Sequence, residues 1–108
     1  MNNNFTAKTR ELFDMGGYCR SWESGRCDAN AGHHILRRIS NSPFNYAPLN
    51  NAREHMPEGR KNLPDIHSFE VRKKYLIKTK EYLNEIGYIP TENDLKFLES
   101  NKKYYETN

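Results

Sequence analysis

The chain lacks the features of membrane-spanning proteins and of disulfide-stabilised proteins. Its 108 residues include only two cysteines, Cys19 and Cys27. No run approaches the roughly 18 apolar residues of a membrane span, and the polar start, Met1-Asn2-Asn3-Asn4, is unlike a signal peptide. We therefore expect a cytoplasmic protein that has no membrane partner and keeps its two thiols reduced.

Apolar residues are also scarce. Hydrophobic residues make up 35% of the chain, and the mean hydropathy is −1.04. This composition predicts one small domain, residues 1–108, with a modest core. Such a domain would gain stability from a metal ion, a partner subunit or DNA.

The net charge of +3 is small, but the charges are unevenly distributed along the chain. Residues 1–62 carry nine Lys and Arg against six Asp and Glu, and residues 63–108 carry eight against eight. Seven of the eight arginines lie in the first part. Because guanidinium groups make bidentate contacts with phosphate, this asymmetry favours a phosphate-facing surface there.

Three histidines stand close together in this basic part. His33, His34 and His55 lie within 23 residues, with Asn45 between them. Hydrolysis of a phosphodiester needs a base that takes a proton from water and a cation that stabilises the charge on the phosphate. Neutral imidazole can do the first task near pH 7 and can hold the cation for the second. The run therefore predicts a metal-dependent phosphodiesterase.

The residues between the histidines predict the local fold. Since neighbours on a strand point to opposite faces, His33 and His34 need a bend, which Gly32 would permit, to reach one site. The turn-rich residues 40–43 predict a hairpin loop, and a short helix carrying His55 follows. The expected order is strand, loop, strand and short helix.

These residues resemble the HNH endonuclease family, whose core is the ββα-metal finger. The matching segments are residues 32–38, 44–49 and 51–55. The resemblance implies hydrolysis of DNA in which His34 activates water and His33 and His55 bind one divalent metal ion. Mg²⁺ or Mn²⁺ is expected, although imidazole ligands also suit Zn²⁺ and Ni²⁺.

The resemblance also gives Asn45 a role, to hold the hairpin loop and orient His34, with Asn41 and Asn50 as alternatives. The arginines expected to contact DNA phosphates are Arg37, Arg38, Arg53 and Arg60. A single finger would nick one strand, so double-strand cleavage would need a homodimer.

The chain departs from the family in its cysteines. Many relatives clamp a structural zinc with two Cys-x-x-Cys pairs, whereas Cys19 and Cys27 alone do not close a tetrahedral site. One rival interpretation is a non-catalytic nucleic-acid-binding module, in which both cysteines join His55 and His33 or His34 around zinc. Another is a decayed nuclease fold that binds a phage or host protein, since the size and the Asn and Lys content resemble phage proteins.

The flanking segments predict helices, so the expected fold is α+β. Residues 1–16 hold an N-terminal helix, residues 17–60 the finger, and residues 64–108 a C-terminal helical hairpin. A stripe with helical spacing predicts a long helix from Ile66 to Ile86: Val71, Tyr75, Leu76, Thr79, Tyr82, Leu83 and Ile86. His67 is expected at the start of this helix, and Thr91 to Asp94 is typical of a capping box.

Overall fold

The structure is a computed structural model that describes residues 5–13 and 20–106. The described residues form a small α+β fold with three α-helices and one two-stranded antiparallel sheet. The elements are α1 (Ala7–Phe13), β1 (Ala31–His34), β2 (Tyr46–Leu49), α2 (Phe69–Glu85) and α3 (Glu92–Ser100). The predicted α+β class is confirmed.

The hairpin has a regular register from end to end. Ala31 pairs with Leu49, and His34 pairs with Tyr46, with no residue inserted between them. The prediction of a bend at Gly32 is therefore wrong. A Cβ atom at Gly32 would come within 2.4 Å of the Tyr46 ring, so glycine here permits the ring to pack against the strand.

The long helix α2 forms the floor beneath the hairpin. It begins at Phe69 rather than Ile66, because the Ser68 hydroxyl caps its first turn by accepting from the Val71 N–H. Its buried residues are Val71, Tyr75, Leu76, Thr79 and Leu83, as the apolar stripe predicted. The Thr79 hydroxyl donates to the Tyr46 carbonyl at 2.6 Å and joins the helix to β2.

Helix α3 packs on the hairpin loop instead of lying chiefly along α2. The predicted capping box is present, with Thr91 and Asp94 each bonded to the other's backbone. The buried Asp94 carboxylate also accepts from the Ser42 hydroxyl at 2.7 Å and from the Tyr88 hydroxyl at 2.5 Å. These bonds draw α3 to the hairpin loop, so both C-terminal helices are organised around the hairpin.

Residues 20–30 form a brace beside the short helical turn Asn51–His55. Ser21 donates to the buried Glu54 carboxylate at 2.5 Å, and the same carboxylate accepts from the Asn50 N–H. The Asn50 side chain donates to the Asp28 carbonyl at 3.0 Å. The brace therefore fixes the turn that carries His55.

Phe13 of the N-terminal helix packs against both the hairpin and α2. Thr6 caps α1, and the Phe13 ring stacks on Tyr46 and Tyr82 with ring centres 4.3 and 5.2 Å apart. The predicted end of this helix, at residue 16, lies outside the described residues. None of the described helices is long and apolar enough to cross a membrane.

Candidate functional site

All four histidines of the chain line one open cleft beside the end of β1. The cleft has a volume of about 420 Å³. Its lining residues are Gly32, His33, His34, Arg37, Arg38, His55 and His67. Three separate elements supply the histidines, namely β1, the Asn51–His55 turn and the turn before α2. The fold thus concentrates imidazole and guanidinium groups in one place.

His33 is the buried histidine of the cleft. Its ring centre lies 5.0 Å from that of His55 and 6.4 Å from that of Tyr75, to whose ring it is nearly perpendicular. Burial, assisted by the neighbouring histidines, lowers the pKa of His33 to about 3, so the ring is neutral at neutral pH. Its Nε2 atom is buried without a hydrogen-bond partner. Such an atom is costly unless something else satisfies it, as a metal ion would.

His34 is half-buried and held from two sides. Its ring stacks on Phe5 with centres 4.0 Å apart, and its Nε2 atom lies 2.9 Å from the Asn41 amide oxygen. Because an amide oxygen only accepts, this bond places the ring proton on Nε2 and leaves a lone pair on Nδ1. Burial and the charge of Arg38 lower the pKa of His34, against the opposing effect of the Asn41 bond.

Asn45 holds the hairpin loop from inside the protein. Its amide donates to the carbonyls of Arg37 and Ser40 at 3.0 and 2.8 Å and accepts from the Leu36 N–H at 2.8 Å. The loop includes Arg37 in the left-handed region, at φ 59°. The asparagine that is hydrogen-bonded to the His34 ring is Asn41, not Asn45. Asn45 therefore holds the hairpin loop, whereas Asn41 is the asparagine bonded to His34.

His55 is oriented by a neighbour on its own turn. Its Nδ1 atom lies 2.9 Å from the Asn51 amide oxygen, which fixes the proton on Nδ1 and leaves Nε2 unprotonated. A second group that orients an imidazole in this way is typical of metal-binding histidines. Burial is the main cause that lowers the pKa of His55. Asn50, the other alternative given for the role of Asn45, caps the turn by accepting from the Arg53 N–H.

The four arginines expected to contact phosphate lie in different environments. Arg37 and Arg38 are exposed and line the cleft. Arg53 is exposed outside the cleft lining, with Nη1 3.2 Å from an Asp28 carboxylate oxygen. Two of the four therefore accompany the histidines.

Arg60 lies inside the protein, so its assignment as a phosphate contact is corrected. Only 5% of the residue is exposed. Its guanidinium donates to the carbonyls of Pro64 and Glu54, the Tyr75 hydroxyl and the Glu23 carboxylate. These contacts make Arg60 the centre of a buried ionic network beneath the cleft. No DNA phosphate can reach it.

The structural-zinc alternative has limited support in the described part of the chain. Cys27 is exposed and does not line the cleft, while Cys19 lies outside the described residues. Among residues 5–13 and 20–106, no three His, Cys, Asp or Glu side chains are already arranged around one metal position. Binding of a metal ion in the cleft would therefore require the histidine side chains to move closer together.

Sequence reasoning missed Asn51 as the group that orients His55, and it kept Asn41 only as an alternative to Asn45 for orienting His34. Asn51 stands four residues before His55, a spacing that brings side chains together on a helical turn and could have indicated the pair. Asn41 contacts His34 across a loop, and no regular spacing predicts such a contact. Loop geometry alone joins them.

Comparison with known proteins leaves the function to be argued from the cleft. No protein-family model, curated protein or solved structure matches the chain.

The buried histidine predicts a stability that depends on pH. The pKa of His33 is about 3 in the folded protein against 6.5 ordinarily. Between these values the unfolded chain binds a proton that the folded protein does not, so stability is lost as the pH falls. Each such group contributes up to about 1.4 kcal/mol per pH unit. We expect urea unfolding in EDTA to show a falling free energy of unfolding from about pH 6.5 downwards.

The matched variant for this prediction is His33→Phe, which keeps a buried ring but removes its titration. The free energy of unfolding should depend less steeply on pH in this variant. Part of the dependence should remain, because the pKa values of the other three histidines are also lowered. An unchanged slope would mean that His33 is not the group responsible.

Proposed function

We propose that the chain is a metal-dependent DNA endonuclease of the HNH type, in which β1, β2 and the Asn51–His55 turn form a ββα-metal finger. The observation that carries the proposal is the cleft that holds all four histidines beside two exposed arginines. This arrangement combines the groups that phosphodiester hydrolysis requires: a neutral base, cation ligands and phosphate-binding cations.

His34 is the proposed general base. The Asn41 bond leaves the Nδ1 lone pair available, and the lowered pKa keeps the ring neutral at neutral pH. His34 takes a proton from a water molecule as the water attacks phosphorus in line with the leaving 3′ oxygen. The products are a 5′-phosphate and a 3′-hydroxyl.

His33 and His55 are the proposed metal ligands. The two residues fit this role, since the buried Nε2 of His33 lacks a partner and Asn51 leaves the Nε2 of His55 unprotonated. A bound divalent cation would stabilise negative charge on the phosphate and on the leaving oxygen. Mg²⁺ and Mn²⁺ are expected, and the imidazole ligands also suit Zn²⁺ and Ni²⁺.

Arg37 and Arg38 are the proposed phosphate contacts nearest the scissile bond. Both are exposed on the cleft wall next to His34. Their guanidinium groups can bind phosphate oxygens in a bidentate manner and hold the DNA backbone against the base. Arg53, outside the cleft lining, would contact a phosphate further along the strand once its ion pair with Asp28 opens.

We expect the purified protein to convert supercoiled plasmid DNA to the open-circular form in Mg²⁺ or Mn²⁺. EDTA should stop the reaction, and readdition of metal should restore it, because the charge on the leaving oxygen would otherwise be uncompensated. Gel electrophoresis of time points measures the nicking rate. A parallel series with Zn²⁺ and Ni²⁺ tests the preference of the imidazole ligands.

The same assay on duplex, single-stranded and branched DNA gives the outcome that would end the nuclease proposal. If none is cleaved with any of the four metals, the chain is better described as a non-catalytic module that binds nucleic acid or another protein. Gel-shift measurements at two salt concentrations would then detect phosphate-dependent DNA binding.

A further inference from the structure

His67 reaches the cleft from outside the three segments that resemble the HNH pattern. It lies in the turn before α2, where its backbone N–H donates to the Asp65 carboxylate at 2.8 Å. The side chain is exposed, yet it lines the cleft. The fold therefore brings a fourth histidine, from a different element, to the place where the other three meet.

The ring distances are close to those of a shared metal site. Two imidazoles bound at ~2.1 Å to one metal, with bonds at about 90–110°, hold their ring centres roughly 4.5–5.3 Å apart. The ring centres of His33 and His55 are 5.0 Å apart, within that range. Those of His33 and His67 are 6.1 Å apart, so an approach of about 1 Å would bring this second pair into the same range.

Of these three histidines, His67 has the side chain with the most freedom to move. His33 is buried in β1, and Asn51 holds His55, whereas the side chain of His67 is exposed on a turn. Rotamer changes of exposed side chains occur in picoseconds to nanoseconds. The buried Nε2 of His33, which has no hydrogen-bond partner, is independent support for a ligand that the cleft is built to receive.

We propose that His67 is a third protein ligand of the divalent metal ion in the cleft, together with His33 and His55. This inference rests on the proposed function, because that function gives the metal ion its role. The experiment that tests it measures metal binding and needs no DNA cleavage. Three neutral imidazoles leave coordination positions open for water and phosphate, as in catalytic three-histidine sites. They also favour Zn²⁺ or Ni²⁺ over Mg²⁺, which prefers oxygen ligands.

Metal affinity of the full-length chain tests the proposal without any DNA. Isothermal titration calorimetry with Zn²⁺ would compare the wild type with His67→Ala, His67→Asp and His34→Ala. We expect His67→Ala to weaken binding by more than the roughly 10–100-fold that loss of a merely supporting group produces. His67→Asp, which supplies an oxygen ligand, should restore most of the affinity, and His34→Ala should bind as the wild type does.

Two further readouts distinguish a histidine site from a cysteine site and from loss of the fold. Absorption spectra with Co²⁺ in place of Zn²⁺ should show nitrogen ligands without thiolate charge-transfer bands, which separates the cleft from Cys19 and Cys27. Circular dichroism should show that metal-free His67→Ala is folded, as expected for an exposed residue. A thiolate spectrum that persists in His67→Ala would overturn the proposal.

The proposal and the nuclease function can fail separately. If the wild type cleaves DNA and His67→Ala binds Zn²⁺ with unchanged affinity, His67 is not a ligand and the nuclease proposal stands. If no DNA is cleaved but His67→Ala still loses the metal, the three-histidine site stands and the nuclease proposal falls. A wild type that binds none of Zn²⁺, Ni²⁺, Co²⁺ or Mn²⁺ would overturn both.

Discussion

Replacement of His34 by alanine is expected to lower the DNA cleavage rate by about 10²–10⁴, the usual contribution of a positioned general base. The affinity for metal should stay unchanged, because His34 is not a proposed metal ligand. Its ring is held by contacts with Phe5 and Asn41. Single-turnover nicking rates and calorimetric titration with Mn²⁺ measure the two quantities separately.

The pH profile of cleavage provides a second check on His34. Burial lowers the pKa of its ring below 6.5, so the base remains neutral, and activity should persist, somewhat below that pH. The contrasting variant is His55→Ala, which should lose metal binding as well as activity. If His34→Ala and His55→Ala lose metal binding equally, the division between base and ligand is wrong.

Replacement of Arg60 by alanine is expected to lower the free energy of unfolding by about 3–5 kcal/mol, the range for breaking a buried ion pair. Arg60 Nη1 lies 3.2 Å from the Glu23 carboxylate and 3.0 Å from the Tyr75 hydroxyl. Without the guanidinium, Glu23 keeps only Lys74 and Tyr75, and two carbonyl groups lose their donor. Urea unfolding followed by circular dichroism measures the change.

Arg53→Ala is the matched control, because it removes an arginine paired with a carboxylate at the same 3.2 Å distance, but at the surface. The side chain of Arg53 is 66% exposed, so its pair with Asp28 should contribute no more than about 1 kcal/mol. If both variants lose the same free energy of unfolding, burial does not make the Arg60 ion pair more important for stability than the Arg53 ion pair. A loss of DNA affinity without loss of stability in Arg60→Ala would restore the phosphate assignment.

Patterns confined to neighbouring residues predicted the helices well. The apolar stripe located α2 because residues on one helical face share one buried environment. The capping box at Thr91 was readable because a side chain and the backbone a few residues away suffice to form it. The hairpin followed from its turn residues in the same way.

Contacts between distant residues could not be predicted from the sequence. Arg60 lies in a polar stretch that resembles a linker, and its burial depends on partners distant in sequence, such as Glu23, 37 residues earlier. His67 reaches the cleft because α2 packs beneath the hairpin, which no local spacing encodes. The asparagine assignments also depended on the path of the loop, which Asn45 determines from inside the fold.

The brace between residues 20–30 and the Asn51–His55 turn limits how far the chain can be shortened. Glu54 sits one residue before His55 and takes its hydrogen bonds from Ser21 and from the N–H of Asn50. A synthetic peptide spanning only residues 31–60 would leave this carboxylate without its hydroxyl partner and the turn without its support. An engineered miniature of this hairpin would therefore have to carry the preceding segment, or a designed substitute for it, to keep His55 facing His33.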